Sequence, residues 1–301
     1  MDRKDVLRQG VDKNERMLEI GASFNPVFAK RDGWPVKILD NENRDGLIER
    51  YKNNPLVDVS VIEDVDYVCR DGAFLDAVPM SDHGSFDALL ASHVVEHAPD
   101  MVGFLKAANA LIKPEGCVIL AIPDKRLCYD FFRPPSTTGE VLAAHIEGHK
   151  FHSRKSLFDA WAYAGMKGGH PAWNHLDKRP LQFPCTLNDA LALMHRAGGA
   201  DYIDVHAWVF TPSSFALLML ELGFLGFLDL HVERIEPRPD TEFFVWLKRG
   251  PPKWSGDFAE TRRALLSRVT FELAEQVNQF DTGVAPYWLR ALRWFDRQRR
   301  R

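Results

Sequence analysis

Three groups of residues have types and spacings suited to chemistry. Gly21 closes the apolar run Met17–Ala22, and Asp40 closes Val36–Asp40 nineteen residues later. A glycine at a strand end lets the backbone approach a ligand with no Cβ in the way. An acid about twenty residues further on can accept both hydroxyls of a ribose. The second group, Ser92-His93-Val94-Val95-Glu96-His97, follows directly on the apolar run Phe86–Ser92. Histidine is the usual proton carrier near neutral pH. In the third group, Lys125, Arg126 and Arg133 follow Ile122-Pro123-Asp124 and offer cations to a phosphate or carboxylate. His206 and Trp208 stand at the far end of the same stretch and are the preferred groups on the substrate side, with His206 a candidate base.

Other chemistries fit less well. A dinucleotide fingerprint needs three spaced glycines, but Ser23-Phe24-Asn25-Pro26 follows Gly21. A bulky Phe and a Pro without an N–H make a poor pyrophosphate cradle, so a nicotinamide oxidoreductase is disfavoured. No G-x-x-x-x-G-K-[ST] occurs. His145, His149 and His152 fall at i, i+4 and i+7, a spacing that can ligate a metal. Gly148 weakens that helix and no H-E-x-x-H accompanies it, so a polar helix face is expected and no metal is assigned. Cys69, Cys117, Cys128 and Cys185 form no C-x-x-C pair, which points to a reducing, cytoplasmic setting.

The elements that must position these residues alternate in type. Met17–Ala22, Val36–Asp40, Val65–Cys69, Phe86–Ser92 and Cys117–Ile122 read as strands. Asp45–Lys52 and Met101–Ile112 read as helices, the second ended by Lys113-Pro114-Glu115-Gly116. Such alternation implies βαβ units and a parallel sheet. From Pro123 to about Ala207 the chain holds Pro, Gly, aromatics and seven of the eleven histidines. Alternation resumes with a helix over Pro212–Leu222, capped by Thr211. Phe227–Glu236 and Glu242–Lys248 follow, joined by so short a link that they must be antiparallel. Residues 1–250 therefore read as one domain with 125–207 as a substrate-side insertion, and 251–301 as a helical extension.

With 301 residues and 46% hydrophobic composition, the chain can bury one large core. Its formal net charge of -4 lacks the basic excess of a nucleic-acid binder. No apolar run approaches a membrane span, and the polar start is not a signal peptide. The tail Tyr287–Arg297 mixes aromatics with arginines and is expected to pack on its own domain, with contact to an anionic membrane surface as the alternative.

The stretch Phe86-Asp87-Ala88-Leu89-Leu90-Ala91-Ser92-His93-Val94-Val95-Glu96-His97 closely resembles the class I S-adenosylmethionine-dependent methyltransferases. Leu18-Glu19-Ile20-Gly21, the acid Asp40 and the run Leu111–Leu120 add to the resemblance, which covers about residues 16–124 and resumes at 211–249. The chain departs from the family in lacking the second glycine of the first motif. The resemblance implies a Rossmann-like, doubly wound, mostly parallel seven-stranded sheet with an antiparallel last strand. It implies S-adenosylmethionine as cofactor, held by Glu19, Gly21, Ala22, Ser23, Asp40, Asp71, Gly72, Ser92 and His93. His93 would lie under the sulfonium and share the catalytic role with His206. Lys125, Arg126, Arg133 and Trp208 would face the acceptor. The run Pro123–Pro134, with Asp204–Trp208, also resembles methyltransferases encoded with bacterial surface-polysaccharide and glycosyltransferase functions. That second resemblance implies O-methylation of a sugar or glycan intermediate. The alternatives are methylation of a small carboxylate or phenol, and a non-catalytic cofactor-binding scaffold in glycan assembly.

Overall fold

The apolar runs become strands because each is covered on both faces, where β-branched and aliphatic side chains pack best. The computed structural model describes residues 2–70, 72–197, 202–254 and 256–279. Strands β1 (Met17–Ile20), β2 (Val36–Asp40), β3 (Tyr67–Val68), β4 (Phe86–Ser92) and β5 (Ile112–Pro123) lie parallel. The insertion adds a small antiparallel pair, β6 (Met166–Lys167) and β7 (Leu181–Gln182). A terminal hairpin of β8 (Leu230–Pro237) and β9 (Glu242–Arg249) completes the main sheet, in the order β3-β2-β1-β4-β5-β9-β8. β9 runs antiparallel to both β5 and β8, as the short link requires.

Strand order reverses between β1 and β4, so the carboxyl ends of these two strands open onto one crevice. That is where ligands sit in open α/β sheets. The helices are α1 (Arg3–Leu7), α2 (Arg44–Tyr51), α3 (Phe74–Ala77), α4 (Met101–Leu111), α5 (Thr138–Ile146), α6 (Arg154–Ala162), α7 (Leu187–His195), α8 (Pro212–Phe224) and α9 (Phe258–Gln276). On one face of the sheet, Leu18, Leu89 and Leu120 pack with Val102 and Leu105 of α4 and Phe215 and Leu218 of α8. On the other face, Met17, Leu90 and Ile119 pack with Val6 and Leu7 of α1 and with Phe28. Thr211 caps α8 by accepting from Ser214 N, with Pro212 in the first turn.

Two expectations are revised. Lys113–Gly116 does not separate helix from strand, because β5 already begins at Ile112 opposite Phe86 and then shifts register before Cys117. His145, His149 and His152 do not share a helix face. α5 ends at Ile146, and Gly148 turns the chain at φ 67°. Each histidine then finds a separate partner: Asp100, Glu147 and Tyr202. α9 lies against α8, where Glu272 accepts from Ser213 and Glu221 pairs with Arg262 at 2.6 Å. No helix among the described residues is long and apolar enough to cross a membrane. The tail Tyr287–Arg297 lies outside the described residues.

Candidate active site

At the end of β1 the chain must turn sharply beneath the loop that leaves β4. Gly21 adopts φ 70°, and a Cβ built there would stand 2.8 Å from Val94 Cγ2. Both the left-handed backbone and the lack of room call for glycine. Ser23 follows at φ 49°. Its N–H donates to Asp40 Oδ2 at 3.0 Å, and Asn41 N donates to Oδ1 at 2.8 Å. Asp40 is buried, and loss of solvent pushes its carboxyl above the usual range despite those two amides. Ser23 Oγ is buried beside it with no hydrogen-bond partner.

Glu19 holds this loop rather than facing its mouth. Its two oxygens accept from Val27 N at 2.7 Å and Phe28 N at 2.8 Å, and the side chain is sealed from solvent. Burial raises its carboxyl to about 7. It is a positioning residue. The loop Ser23–Pro26, which lacks the glycines of a phosphate cradle, is thus fixed from below by Glu19 and from the side by Asp40. Gly72 stands in the turn after β3 at φ 78°. Asp71 lies outside the described residues.

At the end of β4, Ser92 Oγ accepts from Arg3 Nη2 at 2.6 Å. The same guanidinium grips Glu242 with two bonds, 2.7 and 2.9 Å. Arg3 belongs to α1 and Glu242 opens β9, so chain terminus and hairpin meet over the strand end. His93 takes φ 55°, unusual for a residue with a Cβ. Its Nε2 lies 2.9 Å from Glu242 and its Nδ1 3.5 Å from Glu96. Burial opposes charge on the ring, but the two carboxylates outweigh it and lift His93 to about 9. The ring keeps 41% of its surface open, so solvent screens part of that effect. A charged His93 donates from Nε2 to Glu242.

The chain bends next to Glu96, which is 1% exposed. Its carbonyl accepts from Ala207 N at 2.7 Å and Trp208 N at 3.1 Å, tying the far end of the insertion to the β4 loop. Its carboxylate oxygens have no hydrogen-bond partner. His206 Nε2 stands 3.9 Å away and His97 Nε2 4.0 Å. Behind them, His206 Nδ1 lies 2.5 Å from Asp130 and His97 Nδ1 2.8 Å from Asp204. Burial alone would raise Asp130, but His206 and Arg133 beside it hold it near 2.

The cations of the insertion turn inward. Lys125 Nζ donates to Phe131 O at 2.9 Å and Gln276 Oε1 at 2.6 Å. Arg126 forks onto Asp124, and Arg133 donates to Asp130 and to the carbonyl of His206. All three are buried. Their partners come from the protein, in Asp124, Asp130, carbonyls of the insertion and Gln276 of α9, while Arg133 also lines the cleft beside Trp208. Trp208 Nε1 donates to Ala98 O at 2.6 Å, and its ring borders a cleft of about 280 Å³. Ser136, Glu140, His152, Ser153 and Lys155 share that lining. A second hollow, between Asp87, Gly116 and Lys248, lies at the opposite end of the sheet.

A turn after β1, an acid ending β2, and a polar loop after β4 thus share one crevice on a sheet with a reversed last strand. Residues 9–225 match the family described as methyltransferase domain. The chain belongs to that family. S-adenosylmethionine is the cofactor. No curated protein matches the chain. Among solved structures, it is similar to Zn-dependent alcohol dehydrogenases from Rhodobacter sphaeroides at 13% identity, covering 83% of this chain and 90% of that one, with a TM-score of 0.46. A SAM-dependent methyltransferase from Aquifex aeolicus gives 10%, 82%, 88% and 0.41. The 1,6-didemethyltoxoflavin-N1-methyltransferase of Burkholderia thailandensis, solved with its substrate and S-adenosylhomocysteine, gives 12%, 82%, 76% and 0.39. At such identities and TM-scores these likenesses say nothing about activity.

The methyltransferase crevice suits the cofactor on its own observations. Gly21 leaves a cradle that a Cβ would fill, Ser23 Oγ is an orphaned polar atom, and Asp40 retains acceptor capacity beyond its two amides. Residue types alone did not single out Arg3, Glu96, Glu242 or Asp130. Glu96 stood within the second group, between two histidines. Nothing local marks Arg3 or Glu242, because their meeting depends on the strand order.

Proposed function

We propose that this methyltransferase transfers a methyl group to a hydroxyl oxygen of a sugar or glycan intermediate. The observation that carries the reading is Glu96, a buried carboxylate without a hydrogen bond, faced by imidazoles, whose carbonyl holds Ala207 and Trp208 in the lining of a cleft of mixed polarity. A hydroxyl is a weak nucleophile and gains from such a group, whereas an acceptor carboxylate needs none. The serines, Glu140, His152 and Lys155 around the cleft suit a polyhydroxylated ligand better than a flat phenol, and Trp208 offers an apolar wall.

Gly21, Ala22 and Ser23 would lie along the methionine end of the cofactor, Asp40 would take the ribose hydroxyls, and Gly72 would border the adenine. Ser92 and Arg3 stand at the mouth of β4, where Arg3 can meet a carboxylate. When bound, the cofactor supplies an electrophilic methyl on a sulfonium. The protein's part is to align the acceptor, exclude water and receive a proton. His206 is placed for the last task, with Nδ1 held by Asp130 and Nε2 turned toward Glu96.

The test is calorimetric titration with S-adenosylhomocysteine and with NAD, followed by methyl transfer to a panel of nucleotide sugars, small carboxylates and phenols. Binding of the first alone, with turnover on a sugar, supports the reading. Turnover only on a carboxylate or phenol would overturn the acceptor class. Cofactor binding with no turnover on any acceptor would favour the scaffold.

A further inference from the structure

A carboxylate sealed in protein without a hydrogen bond is costly unless a proton or a cation answers it. Glu96 is in that position, 1% exposed with neither oxygen bonded. Three ring nitrogens face it: His93 Nδ1 at 3.5 Å, His206 Nε2 at 3.9 Å and His97 Nε2 at 4.0 Å; His93, already held by Glu242, answers part of the charge. One ligand atom from each of Glu96, His97 and His206 lies within 4.8 Å of the other two. A tetrahedral ion with bonds of about 2.0–2.1 Å sets its ligand atoms roughly 3.3 Å apart, so a modest contraction closes the group on an ion.

The atoms behind the group matter as much. His97 Nδ1 rests on Asp204 at 2.8 Å and His206 Nδ1 on Asp130 at 2.5 Å, while Arg133 fixes Asp130 at 2.7 Å. A carboxylate behind each imidazole selects the Nδ1–H tautomer and leaves the Nε2 lone pair turned inward. Metal-binding histidines are oriented in this way. Two imidazoles and one carboxylate suit zinc or another first-row transition ion, and are poorly matched to magnesium or calcium, which prefer oxygen.

We propose that Glu96, His97 and His206 bind one divalent transition-metal ion of the zinc class, with a remaining position open to water or to an oxygen of the acceptor. Two ligands come from the loop after β4 and one from the end of the insertion, so the ion would pin the insertion to the sheet. His93, whose Nδ1 stands 3.5 Å from the same carboxylate, borders the group and is held by Glu242. With an ion bound, His206 Nε2 is a ligand and no longer a base, and the ion in its place would ease loss of a proton from a bound hydroxyl. That consequence rests on the methyltransfer reading, whereas metal binding does not.

The experiment uses the full chain, stripped with a chelator and titrated with Zn²⁺ by calorimetry and with Co²⁺ by visible absorption. We expect a single ion per chain and the intense bands of four-coordinate Co²⁺. Glu96→Gln and His206→Ala should each weaken binding about 10- to 100-fold, while His145→Ala, outside the group, leaves it unchanged. If the buried variants fail to fold, His97→Ala at the more open rim supplies the same reading. Absence of Co²⁺ bands in the folded wild type, or unchanged affinity in folded Glu96→Gln or His97→Ala, would overturn the site. S-adenosylhomocysteine is titrated against the same preparation. Cofactor binding without metal binding overturns this proposal alone, and metal binding without cofactor binding counts only against the methyltransfer reading.

Discussion

Asp40 accepts from two backbone amides, yet a carboxylate has about four acceptor positions. The remaining capacity is what a ribose would use. Asp40→Ala removes it and also releases Ser23 N, so S-adenosylhomocysteine should bind at least about tenfold more weakly, or roughly 1.4 kcal/mol. Calorimetry on the folded variant checks this, and unchanged affinity would move the ribose contact elsewhere. His206 makes the opposite demand, because it belongs to the insertion and is held there by Asp130. His206→Ala should lower kcat by about a hundredfold while cofactor affinity changes far less. Equal turnover would remove His206 from the acceptor side.

At the scale of elements, the loop after β1 and the loop after β4 cross so closely that only Gly21 fits between them. In Gly21→Leu, the left-handed backbone costs about 1–2 kcal/mol and the new side chain meets Val94. The folded variant is expected to lose cofactor binding, read by the same titration, and normal binding would show that the pocket lies elsewhere. The elements themselves were largely legible. Val36–Asp40 and Phe86–Ser92 are strands at the residues where their apolar runs begin and end. Gly21, Asp40 and His93 drew notice because they stand where continuous apolar runs end. For Lys125, Arg126 and Arg133 the sequence shows three cations but not the Asp124, Asp130 and backbone carbonyls that fold around them. The metal-binding arrangement was hidden for a similar reason. His206 follows Glu96 by more than a hundred residues, and only the return of the insertion to the β4 loop brings them together.

For the molecule as a whole, the buried acid under the first loop gives stability a pH dependence with a definite sign. Glu19 is enclosed by β1 and the loop to Phe28, faced by Lys4 of α1 and, farther off, by Glu63. Burial raises its carboxyl from 4.5 to about 7. The folded state therefore holds its proton over a range in which the unfolded state has lost it. Stability from this group is fully present below pH 4.5 and declines as pH rises to about 7. The decline is bounded by about 3 kcal/mol. Glu19→Gln keeps the shape and one acceptor but cannot ionise. It sets an amide N–H₂ against a backbone N–H, so it should be less stable at acidic pH. Denaturant unfolding at about pH 5 and about pH 8 should find the wild-type advantage over Glu19→Gln larger at the lower pH. An advantage that stays level between the two pH values would mean that Glu19 is ionised in the fold at both, with its two amides and Lys4 outweighing its burial.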